Sequence, residues 1–184
     1  LKLVKVIDTH IHADHISALN ELNKRTNCIR VMGEKSKSEV IDLRIKDGEK
    51  IKVEEVELQA IYTPGHTDCS YSFLMNDRVF TGDTLLINGS GRTDFQNGNA
   101  YDAYESIFNK LLKLPEKTLV FPAHDYNGKK FSTIENEKNN NPRLQVSSKE
   151  EYADIMNNLN LANPKMMDVA VPANVKGLTL DNIN

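Results

Sequence analysis

Apolar residues along this chain gather in short runs, and most runs stop at a loop carrying histidine, aspartate, glycine or proline. Leu3 to Ile7 is the first, and its end at Asp8-Thr9-His10 predicts a strand handing over to a loop. Ile16, Leu19 and Leu22 then recur at helical spacing, which predicts a helix to about Arg25 with Asp14 or Ser17 as its cap. Ile29 to Met32 reads as the next strand. From Leu43 to Val53 apolar and polar residues alternate on both sides of Asp47-Gly48, the pattern of a tight hairpin. Val56 to Tyr62 predicts a further strand running into Thr63-Pro64-Gly65-His66.

Ser70 to Leu74 and Arg78 to Thr81 flank Asn76-Asp77, so a second hairpin is expected to deliver Gly82-Asp83 at its far end. Tyr104, Ile107, Phe108, Leu111 and Leu112 predict a helix from Ala100 to Leu112. Leu119 to Phe121 is a short strand ending at Pro122-Ala123-His124-Asp125. Thr133 to Asn140 and Lys149 to Leu159 read as polar helices, the second capped by Ser147 or Ser148.

Composition narrows the class only a little. With 184 residues, 39% hydrophobic and 27% charged, the chain is expected to form one globular domain over residues 1–184. A net charge of −3 with scattered lysines gives no footprint for nucleic acid, and no apolar run is long enough to span a membrane. Cys28 and Cys69 have neither a Cys-x-x-Cys spacing nor a secreted disulfide pattern, so a reducing, cytoplasmic setting is the expectation.

The histidines change the picture. All five fall in three motifs: His10, His12 and His15 in Thr9-His-Ile-His-Ala-Asp-His15, His66 after Pro64-Gly65, and His124 after Pro122-Ala123. Taken singly, His66 or His124 reads as a hydrogen-bonded or surface residue, and Gly82-Asp83 as a turn. Three imidazoles and the Asp14 carboxylate within six positions are not explained by packing, and they supply donors suited to a transition-metal ion. If the strand ends converge, His66, Asp83 and His124 join them in one metalloenzyme site.

These motifs resemble the signature of the metallo-β-lactamase superfamily, His-x-His-x-Asp-His followed by a distal His, an Asp and a final His, with all seven positions present. The resemblance implies an α/β fold, a four-layer αββα sandwich with the metal at one edge between two sheets. Further stretches, Gly91-Arg-Thr-Asp-Phe-Gln96, Pro122-Ala-His-Asp-Tyr126, Asn141-Pro-Arg143, Asn158-Leu-Asn-Leu-Ala-Asn-Pro164 and Val171-Pro-Ala-Asn174, are similar to the persulfide dioxygenase (ethylmalonic encephalopathy protein) family. That family implies one Fe(II) per chain on the catalytic ligands His10, His66 and Asp83. His12, Asp14, His15 and His124 would then be outer groups that orient the ligands, or a second metal position. The implied reaction oxidises glutathione persulfide with O₂ to sulfite and glutathione. Tyr126, Arg143 and Arg92 are the implied substrate contacts, with Asp94 and Asp125 as supports. For Arg92, an ion pair with Asp94 that fixes the loop is the competing role.

Two rival readings stand beside this one: a glyoxalase II-like thioester hydrolase with two zinc ions, and a weakened metal-binding domain. Ser90 stands where many family members carry Cys. The His cluster begins nine residues into the chain, whereas the family fold has several strands before it. The first sheet is therefore expected to lack its opening strands, with homodimer formation as one consequence. In a eukaryote the family's setting is the mitochondrial matrix, although no transit peptide is visible.

Overall fold

The computed structural model describes residues 1–183. Its strands are β1 (Lys5–Ile7), β2 (Ile29–Gly33), β3 (Leu43–Ile45), β4 (Lys50–Val53), β5 (Val56–Tyr62), β6 (Tyr71–Leu74), β7 (Arg78–Gly82), β8 (Leu85–Leu86), β9 (Gly89–Ser90), β10 (Leu119–Pro122) and β11 (Ser132–Thr133). Its helices are α1 (Leu19–Thr26), α2 (Ala100–Tyr104), α3 (Ile134–Asn140), α4 (Lys149–Asn157) and α5 (Met167–Lys176). Two sheets lie at the centre, one ordered β1-β2-β3 and the other β11-β10-β7-β6-β5-β4.

Three apolar clusters define the layers. Val31 and Ile45 of the first sheet meet Ile51, Ala60, Tyr71 and Phe73 of the second. The outer face of the first sheet packs through Met32 on Leu19 of α1 and on Val171 and Val175 of α5. The outer face of the second packs through Val79 and Val120 on Ala103, Ile134 and Tyr152 of α2, α3 and α4. The result is the expected αββα sandwich. Each fully buried valine or isoleucine contributes about 1.5–3 kcal/mol.

One expected hairpin is absent. β3 pairs in parallel with β2, and β4 pairs antiparallel with β5, so Asp47-Gly48 carries the chain from one sheet to the other. Ile45 and Ile51 still face a common core, but from opposite sheets. The tight hairpin of this region is instead β4 to β5, turning at Glu54, whose φ is 52°. The Ala100 to Leu112 helix forms, with its middle widened to a π-helix over Glu105–Lys110 and closed by a 3₁₀ turn at Leu111–Lys113. At α1, Ser17 Oγ accepts from the Leu19 amide at 3.1 Å, whereas Asp14 turns toward His15. Ser148 and Thr133 cap α4 and α3 with their side chains.

The sheet register places the site. β10 runs parallel to β7, and a bulge at Phe121/Pro122 sets Pro122 beside Gly82. Residues just past those two strands are therefore neighbours. The amide of Tyr71 donates to the Thr9 carbonyl at 2.9 Å, which joins the end of β1 to the second sheet.

Candidate metal centre

Four strand ends meet at one edge: His10 after β1, His66 after β5, Asp83 after β7 and His124 after β10. His10 Nε2 lies 3.9 Å from Asp83 Oδ2, and His66 Nε2 lies 3.5 Å from the same oxygen. One donor atom from each of the three sits within 4.8 Å of the others. With metal bonds of about 2.0–2.2 Å, donors side by side on one ion stand roughly 3–3.5 Å apart, so the set can close on an ion with small adjustment. Asp83 Oδ1 is buried with no hydrogen-bond partner among the described residues. Such an oxygen is costly unless a cation meets it.

Both candidate histidine ligands are held from behind. His66 Nδ1–H donates to the Arg92 carbonyl at 2.8 Å, which leaves its Nε2 lone pair directed at Asp83. His10 Nδ1 lies 2.9 Å from Thr9 Oγ1. Burial, reinforced by His12, His66 and His124 nearby, pulls the pKa of His10 well below the usual imidazole value. The ring is thus neutral at pH 7, the form that binds metal.

Two glycines make the close approach feasible. Gly82 has a φ of +53°, and a Cβ there would meet Thr9 Oγ1 at 2.6 Å. A Cβ on Gly91 would lie 1.9 Å from the Asp83 carbonyl oxygen and 3.0 Å from His66 Nδ1.

A second group stands beside the first. His12, Asp14 and His15 also offer donor atoms within 4.8 Å of one another, but Asp14 and His15 are exposed. His124 Nε2 lies 3.4 Å from Asp14 Oδ2 and 3.6 Å from Asp83 Oδ2, between the two groups. His12 Nε2 faces Asp8 Oδ1 at 3.9 Å. Although burial opposes charge on His12, the Asp8 carboxylate, helped by Asp83 and Asp14, raises its pKa.

A cavity of about 550 Å³ opens on Asp14, His66, Asp83 and His124. Its walls include Leu86, Phe95, Leu161 and Pro164, with Arg92, Tyr126 and Arg143 as polar members. Arg92 is largely committed: it holds Asp94 through Nε and Nη2, donates to the Ala162 and Leu161 carbonyls at 2.6 and 3.1 Å, and stacks on Phe95 at 4.6 Å. Arg143 donates to the Ser90 carbonyl and has no carboxylate partner among the described residues. Burial lowers its pKa. Tyr126 is 85% exposed, its ring parallel to that of His124 with centroids 6.1 Å apart. Asp125 accepts from the amides of Asn127 and Lys129, bracing its own loop.

Several supports carry no sequence signal of their own. Asp8 stands behind His12, whereas Gln96, from the Gly91–Gln96 stretch already marked in the sequence, donates to the Ile11 carbonyl at 2.9 Å. The fully buried Glu137 accepts from the Asn88 amide and from Asn141 Nδ2, and Asn141 Nδ2 also reaches the Gly89 carbonyl. Only the similarity of Asn141-Pro-Arg143 to a family stretch pointed to that corner. Ser90 Oγ lies 2.9 Å from the buried Tyr152 hydroxyl, whose pKa burial pushes up to about 12.

The metallo-beta-lactamase superfamily model matches residues 31–124. The mouse protein named persulfide dioxygenase ETHE1, mitochondrial, is 44% identical over 96% of this chain, which spans 70% of that relative. The crystal structure of ETHE1 from Myxococcus xanthus superposes with a TM-score of 0.93 at 48% identity, covering 95% of this chain and 77% of that one. A hydroxyacylglutathione hydrolase of Buchnera aphidicola is more distant, at 36% identity over 68% of this chain and 49% of its own length. The chain belongs to the metallo-beta-lactamase superfamily and, within it, to the persulfide dioxygenase family. It is accordingly an enzyme with a metal site. No helix among the described residues is long and apolar enough to cross a membrane.

Proposed function

We propose that this chain is an Fe(II)-dependent dioxygenase that converts glutathione persulfide, O₂ and water to glutathione and sulfite. The observation that carries this reading is the set of two buried histidines and one partly buried carboxylate, His10, His66 and Asp83, on the edge of a cavity with an arginine that has no carboxylate partner among the described residues. Such a set suits ferrous iron, which when bound supplies the redox partner for O₂ and a site for the persulfide sulfur.

The rest follows from the side chains. Arg143, half-buried and without a carboxylate partner among the described residues, could receive one from the tripeptide, and a bidentate pair would hold it in one orientation. Tyr126 at the cavity mouth offers a hydroxyl to the same ligand. Leu86, Phe95 and Pro164 give the cavity an apolar wall beside the reacting sulfur. His124 and Asp14, 3.4 Å apart, form a pair able to take a proton from the water that releases sulfite.

The second donor group, His12, Asp14 and His15, favours the rival of a two-zinc thioester hydrolase. Metal content of wild-type and variant protein separates them. One iron per chain, lost in His66→Ala and largely kept in His124→Ala, fits the dioxygenase. Two zinc ions per chain, with equal losses in the two variants, would overturn it.

A further inference from the structure

The stretch Val171-Pro-Ala-Asn174 has no part in the chemistry above, yet its last residue reaches the histidine loop. Asn174 lies on α5, and its side chain is buried. Its Nδ2 donates to the carbonyls of His12 and His15, both at 2.9 Å, and its Oδ1 accepts from the Ser17 amide at 2.8 Å. These partners settle the orientation of the amide, because carbonyls only accept and an N–H only donates. Both donors and the acceptor are in use.

The clamp extends one step further. Ser17 Oγ donates to Asp8 Oδ2, and the other oxygen of Asp8 faces His12 Nε2. Asn174 therefore pins the backbone at His12, His15 and Ser17, and through Ser17 it sets the carboxylate behind the His12 ring. Its own carbonyl accepts from Ser38 Oγ at 3.2 Å, which ties α5 to the loop after β2. No other side chain of this length offers two donors and one acceptor. Aspartate would turn an oxygen toward two carbonyls, and alanine would leave three backbone groups unpaired.

We infer that Asn174 is the positioning residue of the His10–His15 loop, holding the shape of the metal-binding loop from a helix about 160 residues later in the chain. This rests on the metal-centre reading above, but not on which metal or reaction is correct. Amide exchange in the metal-free wild-type chain tests the clamp itself: the Ser17 N–H should be protected at least a hundredfold relative to exposed backbone. Release of Zn(II) to a chelator from the loaded chain then tests its consequence. Asn174→Asp and Asn174→Ala should release the ion at least tenfold faster than wild type, whereas Val171→Ala, which trims apolar packing on the same helix, should stay within twofold. An unprotected Ser17 amide in the wild type would overturn the proposal even if neither Asn174 variant folded. So would release from the Asn174 variants no faster than from Val171→Ala.

Discussion

The backbone oxygen of Arg92 accepts the Nδ1 proton of His66 at 2.8 Å, so a candidate metal ligand takes its orientation from the residue whose side chain ties down the cavity wall. Arg92 reaches Asp94, the carbonyls of Leu161 and Ala162, and the face of Phe95 at once. Lysine has the charge but not the planar fork. Arg92→Lys should therefore lower kcat/KM by about tenfold, and Arg92→Ala by more, with a stability loss of about 1.5–3 kcal/mol for hydrogen bonds to a charged group. Steady-state kinetics and thermal melts on the two variants check this.

Gly91 and Gly89 form a matched pair. A Cβ on Gly91 would lie 1.9 Å from Asp83 O, whereas one on Gly89 would meet nothing nearer than Leu86 Cβ at 3.9 Å. Gly91→Ala should reduce metal content at least tenfold or prevent folding. Gly89→Ala should bind metal within about twofold of wild type, because 3.9 Å is ordinary van der Waals contact. Metal analysis of the purified variants decides.

Arg143 should act on the substrate rather than on the metal. Replacing it with methionine removes a charge-assisted contact of about 1.5–3 kcal/mol, roughly tenfold to a hundredfold in KM for glutathione persulfide. Metal content should be unchanged. A persulfide on an uncharged carrier should show little difference between Arg143→Met and wild type, and equal losses on both carriers would assign Arg143 to the structure of the loop.

The Arg92 guanidinium holds the pKa of Asp94 below the usual carboxylate value. A depressed folded pKa adds stability above the unfolded value of about 3.9, and that increment is lost as pH falls through the folded value. Asp94→Asn lacks the increment. It should melt below wild type at pH 7, and the difference should shrink as the pH drops under 4. A gap that stayed constant with pH would mean that the Asp94 charge adds nothing to the fold.

Much of this was legible in the chain because ligands at strand ends leave a mark: an apolar run, then a histidine or Gly-Asp. The candidate ligands His10, His66 and Asp83 arise that way, as does their neighbour His124. Asp47-Gly48 misleads because alternation shows which residues face a core but not which sheet they belong to. Ile45 and Ile51 face the same core from two sheets. Helix α5 was missed because Pro172 lies inside it and removes a backbone donor; packing of Ala170, Val171 and Ala173 holds it regardless. Asn174 was marked only by the family likeness of its stretch, and the roles of Asn174, Glu137 and Asp8 were silent for another reason. They act on backbone groups or on rings brought near by the fold, and such contacts have no characteristic spacing.

Oxygen consumption bears most directly on the central claim. Protein loaded anaerobically with Fe(II) and given glutathione persulfide should take up one O₂ for each sulfite released, and His66→Ala should take up none. Loaded protein that consumes no O₂ under these conditions, yet cleaves a glutathione thioester without it, would contradict the dioxygenase account.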